Sequence, residues 1–219
     1  MENRFYDKSK NKFKSIIEAL IINKYYYIIL LICSIILGYL NNNIFLGILT
    51  SIFIHLWSYI SHTWAHNVYP LNIFHLLHHT PGKSHLWYNK IIETLVNFFG
   101  SGGFILIFWN ILIKKMIGIQ ILDNYVLLLT SFLYTSIHIY NYHKLDVPTH
   151  TNHHKCDNTN MEPLNYGPDV FDVLFDTKPD GQVYENINHG ILNALIITIA
   201  IILIYKSKYD IINILENTG

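Results

Sequence analysis

The sequence is poor in charged residues and contains almost no arginine. Only 14% of its 219 residues are charged, and Arg4 is the only arginine. The formal net charge is zero, which argues against the basic surface that a nucleic-acid partner requires. Because 51% of the residues are hydrophobic, the chain is too apolar for an ordinary soluble domain. The composition therefore predicts an integral membrane protein.

Cysteine and several common catalytic motifs are also scarce or missing. Cys33 lies in an apolar run and Cys156 in a polar loop, so no disulfide between them is expected. The chain has no HExxH motif of zinc proteases, no GxSxG serine elbow and no ExxH pair of ferritin-like carboxylate sites. No small-residue cleavage site follows the first apolar run, which predicts an uncleaved anchor.

Long apolar stretches are present, and they predict the fold class. Four of them approach the roughly 20 residues that a helix needs to cross the hydrocarbon: 25–40, 44–61, 94–113 and 120–137. A fifth stretch, 190–205, is predicted to be either a span or an interfacial helix. We therefore predict an all-α integral membrane protein with four or five transmembrane helices. It comprises a basic N-terminal segment (1–24), one membrane-embedded domain (25–206) and a C-terminal tail (207–219).

The distribution of basic residues predicts the orientation. Six of them lie near the N-terminus: Arg4, Lys8, Lys10, Lys12, Lys14 and Lys24. If this segment is cytosolic, four spans return two polar connectors, 62–93 and 138–188, to the cytosolic side. These connectors hold every histidine except His55 and His189. The sequence thus predicts a cytosolic, His-rich, metal-binding cap.

Three histidine clusters dominate the connectors. HTWAH (62–66) is followed by HLLHH (75–79) and by HTNHH (150–154). Histidines three or four residues apart share one face of a helix, and each neutral imidazole offers one nitrogen to a metal. Eight candidate ligands exceed the number that one tetrahedral ion can use, so two metals are predicted. The eight candidate ligands are His62, His66, His75, His78, His79, His150, His153 and His154. Imidazole ligands alone do not identify the metal, because they bind zinc, copper, iron and nickel alike.

This ordered set of clusters resembles the fatty acid hydroxylase superfamily, which includes sterol desaturases and sphingolipid fatty acid hydroxylases. The stretch NYGPDVFDVLFDT (165–177) is similar to the family's segment after its last histidine box, and the resemblance covers about residues 44 to 180. It implies a non-haem di-iron oxygenase that uses O2 to hydroxylate or desaturate a lipid. The eight histidines would be its catalytic metal ligands, and zinc could replace iron in a purified protein.

The resemblance implies further residues and partners. His138 is an additional ligand candidate, and His143 can join it only if the helix ends or bulges between them. Asp172 matches the family's acidic residue, in a structural role, whereas Asp176 replaces its usual glycine. Electrons would come from cytochrome b5 or an NAD(P)H-dependent reductase. The expected location is the endoplasmic reticulum or another internal membrane, with the active site facing the cytosol.

Other residues and functions stay open at this stage. His85, His189, Glu93 and Asn97 are expected to be polar caps more often than ligands, with supporting roles beside the metals as the alternative. A metal transporter would place acidic or histidine residues along its spans as a pathway, and His55 is the only histidine in the spans here. A metal-stabilised membrane scaffold would keep the ligands without oxidising lipid. Nothing in the sequence distinguishes hydroxylation from desaturation.

Overall fold

A computed structural model describes residues 4–79, 86–145, 147–157 and 165–217, and these residues are almost entirely helical. The helices are α1 (Lys12–Ile22), α2 (Lys24–Leu40), α3 (Ile44–Asn67), α4 (Leu71–His79), α5 (Trp87–Phe98), α6 (Ile113–Ile117), α7 (Asn124–Ser136), α8 (Tyr142–Leu145), α9 (Pro148–Asp157), α10 (Asp169–Leu174) and α11 (Ile191–Asn217). Wider π-helical turns, Phe99–Gly103 and Ile105–Leu112, join α5 to α6. Another, Ile137–Asn141, joins α7 to α8. A 3₁₀ turn, Ile187–Gly190, precedes α11. No strand occurs in the described ranges, which confirms the all-α prediction.

Three helical segments are long and apolar enough to cross a membrane. They are Ile44–Asn67, Trp87–Ile117 and Ile187–Lys208. The pair α1 and α2 passes the same test only when taken together, and it is bent by 70°. The described residues therefore offer three spans, or four if the bent pair is one span. The four or five spans and the cytosolic side of the cap stay predictions.

The stretch 120–137 is not among these segments, which have the length and hydropathy that a span needs, and its residues lie in the interior of the bundle. It forms α7, in which Val126, Leu127, Leu129 and Leu133 are fully buried. One core cluster joins α7 to α2 and α11, and another joins it to α3 and the segment after α5. Helix α7 is thus an interior helix, in which Thr130, Ser131 and Thr135 are tolerated because they donate to carbonyls of their own helix.

Glycines allow the closest helix crossing in the bundle. A Cβ atom on Gly47 of α3 would lie 2.6 Å from the backbone oxygen of Ser34 and 3.0 Å from the Cα of Gly38, both in α2. Small residues at a crossing let two membrane helices approach backbone to backbone. This antiparallel pair places the end of α3, with HTWAH, at the same end of the bundle as the start of α2.

A polar cap covers that end. Asn23, before α2, donates from Nδ2 to the backbone oxygen of Glu185 at 2.9 Å. Helix α1 packs on α10 through a small cluster of Tyr6, Ala19, Val173 and Tyr184. The N-terminal segment therefore lies at the same end as the histidine clusters, as predicted.

Candidate metal centre

Four histidines from all three clusters meet at one point. His62 and His66 come from the end of α3, His75 from α4 and His153 from α9. One ring nitrogen from each lies within 4.8 Å of the nitrogens of the other three. His66, His75 and His153 are buried, with exposed fractions of 6%, 4% and 3%. The predicted convergence of the clusters is confirmed for these four residues.

The distances within this group match the donor spacing around one metal ion. Nε2 of His66 lies 3.2 Å from Nε2 of His62, 3.0 Å from Nε2 of His153 and 2.9 Å from Nε2 of His75. Ligands at about 2.0 to 2.1 Å from an ion are separated by about 2.9 Å at right angles and about 3.3 Å at the tetrahedral angle. The four histidines therefore fit a metal ion, whose identity this donor set does not specify.

Hydrogen bonding between the rings accounts poorly for the same geometry. An imidazole nitrogen carries either one hydrogen or one lone pair, so His66 Nε2 can make at most one or two good ring-to-ring bonds. With three neighbouring nitrogens within 3.2 Å, two lone pairs or two hydrogens would face each other, or three donors would share one acceptor, or three acceptors one hydrogen. A shared cation removes this conflict because every lone pair then points at it.

The orientation of His62 is fixed by a backbone carbonyl. Its Nδ1 lies 2.6 Å from the backbone oxygen of Tyr166. A carbonyl can only accept, so Nδ1 must carry the hydrogen, and Nε2 keeps its lone pair towards the other histidines. A partner of this kind is what orients a metal-binding histidine in known metal sites.

Asp172 holds Tyr166 in place. Its carboxylate accepts from the backbone N–H groups of Tyr166 at 2.8 Å and Gly167 at 2.6 Å, and from the Thr177 hydroxyl at 2.7 Å. Burial, with a contribution from the nearby charge of Asp169, raises the pKa of Asp172 to about 6. The predicted structural role of Asp172 thus has a definite form, a clamp on the loop that holds His62.

A second polar group lies beside the first. His138, in the π-helical turn after α7, has Nε2 3.3 Å from Oε1 of Glu93 in α5. The ring of His150 is 4.7 Å from the ring of His138 and is stacked on Tyr142 at 4.1 Å. HTNHH is therefore divided, since His153 belongs to the four-histidine group and His150 faces His138. The two histidines share one helix face, as their spacing predicts, but their rings contact different neighbours.

The π-helical turn also bears on His143. The sequence required a bulge between His138 and His143, and the turn Ile137–Asn141 provides one. The side chains of His78, His79, His143 and His154 lie outside the described part of the structure, as does the whole of His85. Their predicted roles as ligands or supporting residues remain predictions. Nδ1 of His189 accepts from the side-chain amide Nδ2 of Asn141 at 3.0 Å, which fits the expected capping role of His189.

Both groups line one cavity of about 140 Å³. Its histidines are His62, His75, His138, His150 and His153. An engineered cavity of about 150 Å³ admits benzene, so this space suits a small molecule or a short stretch of chain. The wall includes Ser61, Ala65 and Gly100, which are small residues on α3 and on the turn after α5. The cavity therefore reaches from the metal centre to the interface between two apolar segments.

Three features of the site escaped the sequence reasoning. The Tyr166 carbonyl carries no sequence signal, because any residue has one. The sequence predicts Glu93 to be a polar cap more often than a ligand, with a supporting role as the alternative, although a carboxylate inside an apolar segment is costly and so itself indicates a function. Tyr142 and Glu185 were not considered, yet the Tyr142 hydroxyl donates to Glu185 Oε1 at 2.6 Å beneath His150.

Comparisons with known proteins do not assign the chain to a family. No family model, curated protein or solved structure matches it.

Proposed function

We propose that the chain is a membrane-bound non-haem di-iron oxidoreductase that hydroxylates or desaturates a lipid. The observation that carries the proposal is the largely buried group of His62, His66, His75 and His153, which opens into the same cavity as His138 and His150. A nearly all-histidine donor set at one end of an apolar bundle suits a metal that acts on a membrane-dissolved substrate. The substrate would be a fatty acyl chain, a sphingolipid or a sterol.

In this proposal the two histidine groups hold two irons. The first would be bound by His62, His66, His75 and His153. The second would lie near His138, His150 and Glu93, with the remaining ligands from the predicted histidines whose side chains are not described. Iron supplies the reactivity towards O2 and an unactivated C–H bond that no side chain has.

The protein's own residues would position the reactants and exclude water. The Tyr166 carbonyl and the Asp172 clamp keep His62 in one tautomer and one orientation. Tyr166 covers the group, with its ring 5.4 Å from that of His66 and 5.7 Å from that of His62. The small residues between α3 and the turn after α5 would admit one part of a lipid chain. Electrons would come from a separate donor, cytochrome b5 or an NAD(P)H-dependent reductase, on the cytosolic side of an internal membrane.

Lipid mass spectrometry tests this function. Cells that express the wild-type chain are compared with cells that express either His66→Ala or His153→Ala. The control is His55→Gln, which lies in the same helix as His66. We expect a lipid heavier by one oxygen or lighter by two hydrogens, present with the wild-type chain and His55→Gln only. If folded, iron-loaded protein with a reductase and O2 modifies no lipid class, the enzyme proposal fails and a scaffold or transporter takes its place.

A further inference from the structure

Helix α1 carries an apolar stripe that remains exposed on the outside of the protein. The exposed fractions are 72% for Phe13, 37% for Ile17, 38% for Leu20 and 48% for Ile21. Positions 13, 17, 20 and 21 follow the i, i+4, i+7, i+8 pattern of a single helix face. Exposing such a row of phenylalanine and large aliphatic side chains to water is unfavourable, so this face is expected to contact an apolar environment.

The opposite face of α1 is already occupied. Ser15 and Ala19 are fully buried, and Ala19 packs with Val173 of α10 and with Tyr184. Lys12 forms an ion pair with Asp176 at 2.7 Å, which ties the first turn of α1 to the end of α10. These contacts fix the rotation of α1, so its apolar stripe cannot turn towards the core.

The connection to α2 relates this stripe to the membrane. Only Asn23 separates α1 from α2, and the two helices are bent by 70°. Helix α2 also presents apolar side chains outwards, among them Ile28 and Leu31, which are 53% and 41% exposed. Its 17 residues already fall within the range of about 17 to 25 that crosses the hydrocarbon. The span at this position therefore does not need α1.

The charges on α1 oppose a position within the hydrocarbon. Lys14 is exposed, and Glu18 lies 3.8 Å from Lys10 in a pair at the surface. Charged side chains at the centre of a bilayer are costly, whereas at the headgroup level their long stems reach water and anionic lipids. Lys10 and Lys12 precede the apolar stripe and Lys24 follows it, while Lys14 lies next to its first residue. This combination of an apolar face and flanking lysines is typical of helices that lie in the membrane plane.

We propose that α1 is an in-plane membrane helix, which inserts Phe13, Ile17, Leu20 and Ile21 into the headgroup and upper acyl region of an anionic leaflet. Because α1 packs on α10, the bilayer surface then supports the segment that contains Asp172. The metal centre would consequently sit just outside the hydrocarbon, within reach of a lipid that stays in the leaflet.

Spin-label depth measurements test this placement. Single cysteines replace Phe13, Ile17 or Ile21 in full-length protein that carries Cys33→Ala and Cys156→Ser, reconstituted in vesicles of phosphatidylcholine and phosphatidylglycerol. Labels at Lys14 and at Leu31 serve as the water-exposed and membrane-embedded references. Oxygen and a water-soluble nickel complex are the collision probes. Unchanged metal content in each labelled protein shows that its fold is preserved.

The expected result is one shallow depth shared by all three positions of the stripe, between the depths of the two references. A depth that increases steadily from position 13 to position 21 would mean that α1 enters the bilayer as part of a span, and would overturn the proposal. Access to the nickel complex equal to that at Lys14 would mean that the stripe lies in water, and would overturn it as well.

Discussion

The backbone oxygen of Tyr166 lies 2.6 Å from Nδ1 of His62, across 104 positions of the chain. This hydrogen bond connects the loop after the last histidine cluster to the first cluster. Asp172 fixes the same loop through the N–H groups of Tyr166 and Gly167. The affinity of the centre for metal should therefore depend on residues that do not touch the metal.

The first prediction concerns this clamp. Asp172→Asn removes one acceptor oxygen and its charge, so the loop loses a backbone contact and His62 loses its fixed orientation. We expect metal affinity to fall by roughly 10- to 100-fold, as for other residues that orient metal ligands. Competition with a chromogenic chelator measures the change. Asp176→Asn, in the same segment but about half exposed, is the control and should leave the affinity unchanged. Equal losses in both variants would argue against a specific clamp.

The second prediction concerns His66, whose Nε2 contacts the other three nitrogens of the group. His66→Ala should abolish binding of one metal ion per chain, because it removes the ligand whose Nε2 lies within 3.2 Å of a nitrogen of each of the other three. Metal analysis of purified protein gives the stoichiometry. His55→Gln provides the matched control, since His55 lies outside the group and donates to the Ser51 oxygen at 2.7 Å. Retention of full metal content by His66→Ala would rule out a single centre at these four residues.

The third prediction separates the two proposed irons. Glu93→Gln keeps the shape of the side chain but removes its charge beside His138. If a second metal binds there, the variant should lose that metal and the lipid oxidation while it keeps the metal of the four-histidine group. Iron content and Mössbauer spectra, compared between the wild type and the variant, show whether one iron is lost and the other is kept. Glu18→Gln, at the surface, should behave as the wild type. Two retained irons in Glu93→Gln would place the second metal elsewhere.

The fourth prediction is a pH dependence of stability. Burial, with a contribution from Asp169, raises the pKa of Glu185 from 4.5 to about 7. The folded state therefore keeps a proton that the unfolded state has lost, so the free energy of unfolding should fall as pH rises from about 4.5 to about 7. Glu185→Gln should weaken this decline. Thermal unfolding of metal-free protein in detergent, from pH 5 to pH 8, compares the two slopes. Identical slopes would show that Glu185 does not titrate in this range.

The fifth prediction concerns the α2–α3 crossing. Gly47→Ala would place a methyl group 2.6 Å from the Ser34 oxygen, which is backbone and cannot move aside alone. We expect a loss of about 1 to 3 kcal/mol in the free energy of unfolding, as for other overpacked sites. Denaturation in mixed micelles measures it. At Gly100, by contrast, the nearest neighbour of a new Cβ is the Ser61 hydroxyl at 4.0 Å, so Gly100→Ala should cost much less.

Several of these features were visible in the sequence, and the reason is periodicity. A spacing of four residues placed His62 and His66 on one face, and the structure brings their nitrogens together. The length and hydropathy of the apolar stretches predicted an all-α chain with candidate spans, and three such segments are present. The order of the clusters along the chain predicted that they would meet, because intervening helices return the chain to the same end.

Tertiary packing decided the rest. Periodicity assigns a face to each residue but does not say which neighbouring helix that face meets. It therefore could not show that His150 turns towards His138 while His153 joins His66, since that choice depends on how α9 lies across the end of the bundle. Nor could it predict that α7 is an interior helix. The sequence determined the type of ligand and the apolar helices, and packing determined which four histidines share one point.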